Sequence, residues 1–209
     1  MIHKFIQGTN PKRPTMVLFH GTGGNENDLV QIAQMIDKEA NILALRGDVI
    51  ENGMLRFFRR LGPNVFDYED IDQRVETLDQ FLHRACEQYH LDRHDLVALG
   101  YSNGANIVAQ MILKKAVSFH YAILLHPMDI DPKKTIAKID DIEVLITSGT
   151  NDPIVPKASD VKLRKRLMDL GASVEFLSFT QGHQLTNAEV QAVIKWYKEM
   201  IIDPESHRD

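Results

Sequence analysis

The 209-residue chain has a single cysteine, Cys86, so no internal disulfide can form. That suits a reducing compartment and excludes the cystine-stapled scaffold of small secreted domains. Cys86 falls inside a helical pattern and reads as a small core residue, not as a nucleophile. No apolar run approaches the roughly 18 residues needed to cross a bilayer, so no membrane span is expected. The N-terminus, Met-Ile-His-Lys-Phe-Ile-Gln-Gly, turns polar too soon for a signal peptide, and a cytoplasmic location is the expectation. Long blocks of one charge are also missing. A net charge of -5 with only short basic pairs such as Arg59-Arg60 and Lys114-Lys115 argues against a nucleic-acid partner, which would need a basic face. No His, Cys, Asp or Glu cluster has metal-ligand spacing, since His90 and His94 cross from a helix end into a turn. Neither a metal nor another cofactor is expected. The length suits one domain, taken as residues 1–209, and allows at most two.

What is present is a regular alternation of apolar runs and helical patterns. Residues 1–7 read as an edge strand, followed by a turn at Gly8–Pro14. Thr15–His20 reads as a buried strand that empties into His20-Gly21-Thr22-Gly23-Gly24. Leu29, Ile32, Ala33 and Ile36 share one helical face, so a helix is predicted over 28–37 with Asn27 or Asp28 as its N-cap. A short strand follows at Asn41–Leu45. Ile71, Val75, Leu78, Leu82, Ala85 and Tyr89 mark one long amphipathic helix. Leu96–Leu99 is a strand and Asn103–Lys114 a helix apolar nearly all round. Further strands are predicted at Phe119–Leu125, Ile142–Thr147 and Ser173–Phe179. Between them a helix with Leu163, Leu167 and Leu170 stops at Gly171, and a last helix presents Val190, Ile194, Tyr197 and Ile201 to the core. The tail from Asp203 is expected to be loose.

Strands alternating with helices imply an α/β fold with a mostly parallel sheet covered on both faces. In such sheets a site forms at the carboxyl ends of the strands. His20–Gly24, Ser102, His126, Asp152 and His183 all fall there.

Gly100-Tyr101-Ser102-Asn103-Gly104 fits G-x-S-x-G between a strand and a helix. Such a turn lifts a serine hydroxyl clear of the sheet, and its glycines allow strand and helix to pack closely. A hydroxyl needs a base within hydrogen-bond reach and an acid to orient the base. Ser102, Asp152 and His183 supply these types in the order Ser, Asp, His. Asn151, Asp129 and Asp131 compete for the place of the acid. His20 and His126 read as loop-bracing or pocket-lining residues, because the base should follow the last strand. The loop at 20–24 lacks the Gly-Lys-Ser/Thr ending of a phosphate-binding loop and is better placed to donate an oxyanion-hole N–H.

The residues 47–68 have no clean periodicity. They carry Met54, Phe57 and Phe58, our candidate substrate-binding wall. A local mini-core is the alternative, and a stretch of this length is too short for a large helical cap.

Taken together, His-Gly-Thr-Gly-Gly at 20–24, Gly-Tyr-Ser-Asn-Gly at 100–104, Asp152-Pro153-Ile154-Val155-Pro156 and Gly182-His183 resemble the phospholipase/carboxylesterase branch of the α/β-hydrolases. The resemblance spans nearly the whole chain. The stretch 51–60 is similar to carboxylesterases linked with hydroquinone and quinone resistance. The resemblance implies an α/β-hydrolase fold and an acyl-serine mechanism on a small-molecule carboxylic ester, and the 47–68 stretch, too short for a large cap, points to short-chain or aryl esters. The resemblance also implies Ser102 as nucleophile, His183 as base, Asp152 as acid, and the backbone N–H groups of Thr22 and Asn103 as oxyanion hole. Thioesterases of the branch carry Gln after the nucleophile and a second Gly after the motif, where this chain has Asn103 and Ala105. Hydrolysis of a thioester or lactone by the same residues is the alternative chemistry. A ligand-binding module without turnover is the alternative of another class, and a homodimer stays open.

Overall fold

The computed structural model of the chain describes residues 1–115, 119–131, 138–139, 141–156 and 158–204. The loose tail expected from Asp203 lies largely outside them. In chain order the elements are β1 (His3–Ile6), β2 (Thr15–Phe19), α1 (Val30–Ile36), β3 (Ile42–Leu45), β4 (Val49–Glu51), β5 (Met54–Arg56), β6 (Arg60–Gly62), β7 (Val65–Phe66) and α2 (Tyr68–Tyr89). They continue with β8 (Leu96–Tyr101), α3 (Asn103–Lys115), β9 (Tyr121–Leu125), β10 (Glu143–Gly149), α4 (Ser159–Asp169), β11 (Ser173–Phe179) and α5 (Asn187–Tyr197). A π-helical segment over Lys198–Ile202 extends α5.

Seven strands form one sheet in the order β1-β3-β2-β8-β9-β10-β11. Only β1 runs antiparallel, pairing His3 with Leu45 and Ile6 with Ile42 along β3. The other neighbours are parallel. The apolar strand runs are continuous because both faces are covered. Val17, Phe19, Ala98, Leu124 and Ile146 pack on one side with α2, α3 and α4. Met16, Leu18, Leu99, Ile123 and Leu145 pack on the other with α1 and α5. Alternate residues of each strand thus serve opposite cores. After β2 the chain steps outward to β3, then returns to place β8 on the other side of β2. That reversal opens a crevice at the carboxyl ends of β2 and β8.

α2 follows the predicted face, burying Ile71, Val75, Leu78, Leu82 and Ala85, and is capped by Asp67, whose carboxylate accepts the Asp70 N–H at 3.1 Å. α1 is shorter than expected. Turns closed by Asp28 N–H to Asn25 O and Val30 N–H to Asn27 O precede it, so Leu29 takes the N-cap position without a side-chain cap.

The stretch 47–68 departs most from the sequence reading. It folds into two small hairpins, β4–β5 and β6–β7. The first turns on Asn52 (φ 52°) and Gly53 (φ 76°), the pair of positive-φ residues that a tight two-residue hairpin requires. Phe57 and Phe58 are 2% and 0% exposed and belong to the core that contains α2 and α3. The expected substrate wall gives way to its alternative, a local mini-core: the Phe57 ring packs against Phe19 and His20 and the Phe58 ring against Phe66, which removes both from the surface. Met54, at 40% exposure, is the member of the trio that stays outside.

Candidate active site

Ser102 follows the last residue of β8 and holds φ at 51°, a left-handed conformation that costs a non-glycine residue energy. Its N–H donates to Leu125 O at 2.8 Å and its own carbonyl accepts the Asn106 N–H, so the strained residue is clamped from both sides. The flanking glycines are sterically required. A Cβ on Gly104 would lie 1.9 Å from Phe19 O, and one on Gly100 would lie 2.7 Å from the Ala105 backbone. The α3 helix therefore starts hard against β2, which aims the hydroxyl out of the sheet.

Three loops bring the partners together. His183, after β11, has Nε2 2.8 Å from Ser102 Oγ, and its Nδ1 lies 2.7 Å from Asp152 Oδ2 in the loop after β10. With Nδ1–H donating to the carboxylate, Nε2 is the acceptor for the Ser102 hydroxyl. Asp152 Oδ1 accepts the N–H groups of Ile154 and Val155 at 2.8 and 3.1 Å, which fixes the carboxylate plane. Burial works to raise the Asp152 carboxyl. Hydrogen bonds from His183, Val155, Ile154 and His126 outweigh it and hold the group below the usual carboxylate range. The Tyr101 hydroxyl donates to the His183 carbonyl at 2.8 Å, and burial together with the charges of Asp152 and Glu189 pushes it up to about 12. The competing acids are engaged elsewhere. Asp129 pairs with Arg166, and Asp131 with Lys114.

Thr22 lies in the loop after β2, and Asn103 follows Ser102 at the end of β8. Asn103 opens α3, whose first-turn N–H groups lack intrahelical acceptors. Thr22 lies in a loop held by the first hairpin. Gly23 N–H donates to Leu55 O at 2.8 Å, and Arg56 Nη1 donates to Thr22 Oγ1 at 2.7 Å. Arg56 is buried and stacks 5.5 Å from the Phe58 ring centroid, and burial pushes its guanidinium down to about 10, so it stays charged at neutral pH. His20 braces the same loop. Its Nδ1 donates to Gly21 O at 2.6 Å while Nε2 accepts the Gly47 N–H at 3.0 Å. Both nitrogens are used by the neutral ring, and burial lowers its tendency to protonate. The Asn103 carboxamide oxygen accepts the Phe57 N–H at 2.8 Å. The hairpin stretch is thus scaffolding for the turn and the glycine loop, a role that its sequence did not reveal.

Two further residues were missed as a unit. His126 follows β9 and lies with Nδ1 3.0 Å from Asp152 Oδ2, behind the carboxylate. Its Nε2 faces Glu189, buried on α5. Thr186-x-x-Glu189 matches the capping-box pattern, which supplies an ordinary reason for a Glu there. The Thr186 hydroxyl does accept the Glu189 N–H at 3.3 Å, but the Glu189 carboxylate turns inward to Thr147 and Gln181 instead of back to the cap.

His126, Asp152 and His183 place potential metal-binding atoms within 4.8 Å of one another. Both Nδ1 atoms converge on the same oxygen, Asp152 Oδ2, at hydrogen-bond distances. That is the geometry of two donors sharing one acceptor. A metal would have to displace both bonds to reach its usual 2.0–2.2 Å contacts.

The arrangement can therefore deprotonate a hydroxyl and stabilise the imidazolium that results. A groove of about 310 Å³ borders Thr22 and Tyr101 and is lined by Leu29, Ile32 and Leu185.

The family model described as phospholipase/carboxylesterase matches residues 2–201. A hydrolase named MhqD from Bacillus subtilis (strain 168) is 39% identical over 208 residues, covering 97% of this chain and 100% of that protein. The crystal structure of the Bacillus cereus carboxylesterase superposes with a TM-score of 0.92 at 42% identity, covering 94% of this chain and 93% of the other. A carboxylesterase from Mesorhizobium loti gives a TM-score of 0.84 at 28% identity, with 88% of each chain covered.

Proposed function

Because the chain belongs to the phospholipase/carboxylesterase family of α/β-hydrolases, we propose that it is a serine carboxylesterase acting on short-chain or aryl carboxylic esters. The observation that carries the reading is the unbroken run of contacts from Ser102 Oγ through His183 to Asp152, at 2.8 and 2.7 Å. His183 Nε2 takes the Ser102 proton as Oγ attacks the ester carbonyl. The Thr22 and Asn103 N–H groups receive the negative charge that develops on the carbonyl oxygen. Collapse of the tetrahedral species passes the proton from His183 to the leaving alcohol and leaves an acyl-serine. Water, deprotonated by His183, then attacks that acyl group and returns the free enzyme and a carboxylic acid. Asp152 holds the Nδ1–H tautomer throughout.

The preference for small esters is supported by the 47–68 segment, which folds into two short hairpins and is too small to form a large helical cap. The apolar groove beside Thr22 is at the low end of the 300–1,000 Å³ typical of ligand pockets. The test is an aryl acetate assay combined with fluorophosphonate labelling. Wild type should turn over and become labelled at Ser102. Ser102→Ala should fold, escape labelling and lose nearly all activity, keeping only the roughly 10³–10⁴ over water that a preorganised site retains without its nucleophile. Near wild-type turnover by Ser102→Ala would reject the assignment.

A further inference from the structure

The Asp152 carboxylate is shared. Oδ2 accepts not one imidazole but two, His183 at 2.7 Å from the front and His126 at 3.0 Å from behind. The second ring is closed off from solvent, with 0% of its side chain exposed. Its far nitrogen, Nε2, is 3.3 Å from both oxygens of Glu189, itself 0% exposed. Glu189 in turn accepts Thr147 Oγ1–H at 2.5 Å and Gln181 Nε2–H at 3.1 Å. A neutral imidazole that gives its one N–H to Asp152 would turn a bare lone pair toward a buried carboxylate. With both neighbours ionised, the ring satisfies both only with a proton on each nitrogen. His126 also sits at φ 50°, and its N–H is tied to Thr147 O at 3.1 Å. Backbone strain of this kind is held in place only by surroundings that over-determine it.

We infer that His126, held by Glu189, is a positioning residue for the hydrolytic site, extending the triad to a chain Ser102–His183–Asp152–His126–Glu189 in which His126 is an imidazolium. Two effects follow. The buried cation locks the Asp152 oxygen that orients His183. It also takes part of the carboxylate's charge, and its ring centroid is only 5.3 Å from that of His183. The titratable groups facing His126 are Asp152 after β10, Glu189 on α5, His183 after β11 and Tyr101 at the end of β8, the last with ring centroids 6.2 Å apart. The hydrogen bonds from Glu189 and Asp152 raise the ring's affinity for its proton in spite of burial.

The inference rests on the serine-hydrolase reading, and its test separates the two. Imidazole nitrogen NMR of the wild-type protein reports the protonation of His126 without any turnover. Both nitrogens should carry protons at neutral pH, and a neutral His126 overturns the inference whether or not Ser102 is the nucleophile. In the ester assay, His126→Gln and the isosteric Glu189→Gln should each lower kcat about tenfold with KM little changed, because Asp152 then orients His183 less firmly. The double variant should lose little more kcat than the worse single variant, because both changes break the same link behind Asp152. A residue that only supports the fold would lower the Tm and leave kcat in place, and that result in folded variants overturns the inference. If neither variant folds, the wild-type NMR result decides.

Discussion

The side-chain oxygen of Asn103 accepts the backbone N–H of Phe57 at 2.8 Å across 46 residues of sequence. This bond joins the residue after Ser102 to the segment that carries the hairpins, so the start of α3 and its scaffold are positioned together.

Replacing Asn103 with alanine should leave the Phe57 N–H buried and unsatisfied, at a cost of about 1–3 kcal/mol. The Asn103 backbone N–H survives the change. Chemical denaturation should therefore show the loss of stability, while kcat falls far less than the 10²–10³ typical of a deleted oxyanion donor.

Asp152→Asn keeps the shape of the acid but favours the wrong His183 tautomer, and should cost about 10⁴ in kcat on a short aryl ester. Asp129→Asn is the control. It loses charge against Arg166 and should lower the melting temperature with kcat nearly unchanged. The opposite ranking would transfer the acid's role to Asp129.

Phe57→Ala and Met54→Ala should separate support from substrate contact. Emptying the Phe57 site, 2% exposed, should cost about 3–5 kcal/mol and leave the order of preference among acyl chains unchanged. Met54 has its side chain beside Gly23 and is 40% exposed. Its truncation should change stability by no more than about 0.5 kcal/mol but alter relative kcat/KM for acetyl, butyryl, octanoyl and palmitoyl esters. In wild type the short esters should lead, since each methylene that the groove does bury contributes only about 0.8 kcal/mol. A wild-type preference for palmitoyl would contradict the open-site reading.

Two buried histidines should give stability opposite dependences on pH. His20 titrates below its ordinary value of 6.5 because burial penalises its charge, so what it contributes is present above pH 6.5 and disappears as the pH falls through the depressed folded value. His126 is raised above 6.5. Its contribution is present below that value and disappears as the pH rises through the raised one. Melting temperatures across this range should show the gap between wild type and His20→Gln closing toward acid. The gap for His126→Gln should close toward alkali, and parallel curves for the two variants would contradict these assignments.

The sheet was legible in the sequence because fully buried parallel strands such as Thr15–Phe19 leave continuous apolar runs, while the edge strand Ser173–Phe179, found with the predicted boundaries, shows instead an alternating pattern. The contacts among Ser102, Asp152 and His183 were legible because each follows a strand, and strand ends meet at one edge. The 47–68 segment was not, because strands of two or three residues are too short to show a period. Asn52-Gly53 was a usable hairpin signal, but the flanking residues alternate too briefly to support it. Phe57 and Phe58 fitted a substrate wall and a local mini-core equally well, because no helical or strand pattern around them fixed a buried face. Glu189 was hidden by a capping pattern that it half fulfils, and His126 by the lack of any local sequence feature linking it to a helix 63 residues away.

Cys86 is 6% exposed, packed within the α2 core, and burial pushes its thiol above the ordinary range. Electrophiles such as quinones or iodoacetamide react with thiolate, and this chain offers them almost none. The nucleophile proposed above is the Ser102 hydroxyl, an oxygen that reacts slowly with such soft reagents. A catalyst built this way can keep turning over in an environment where thiol-dependent enzymes are being alkylated.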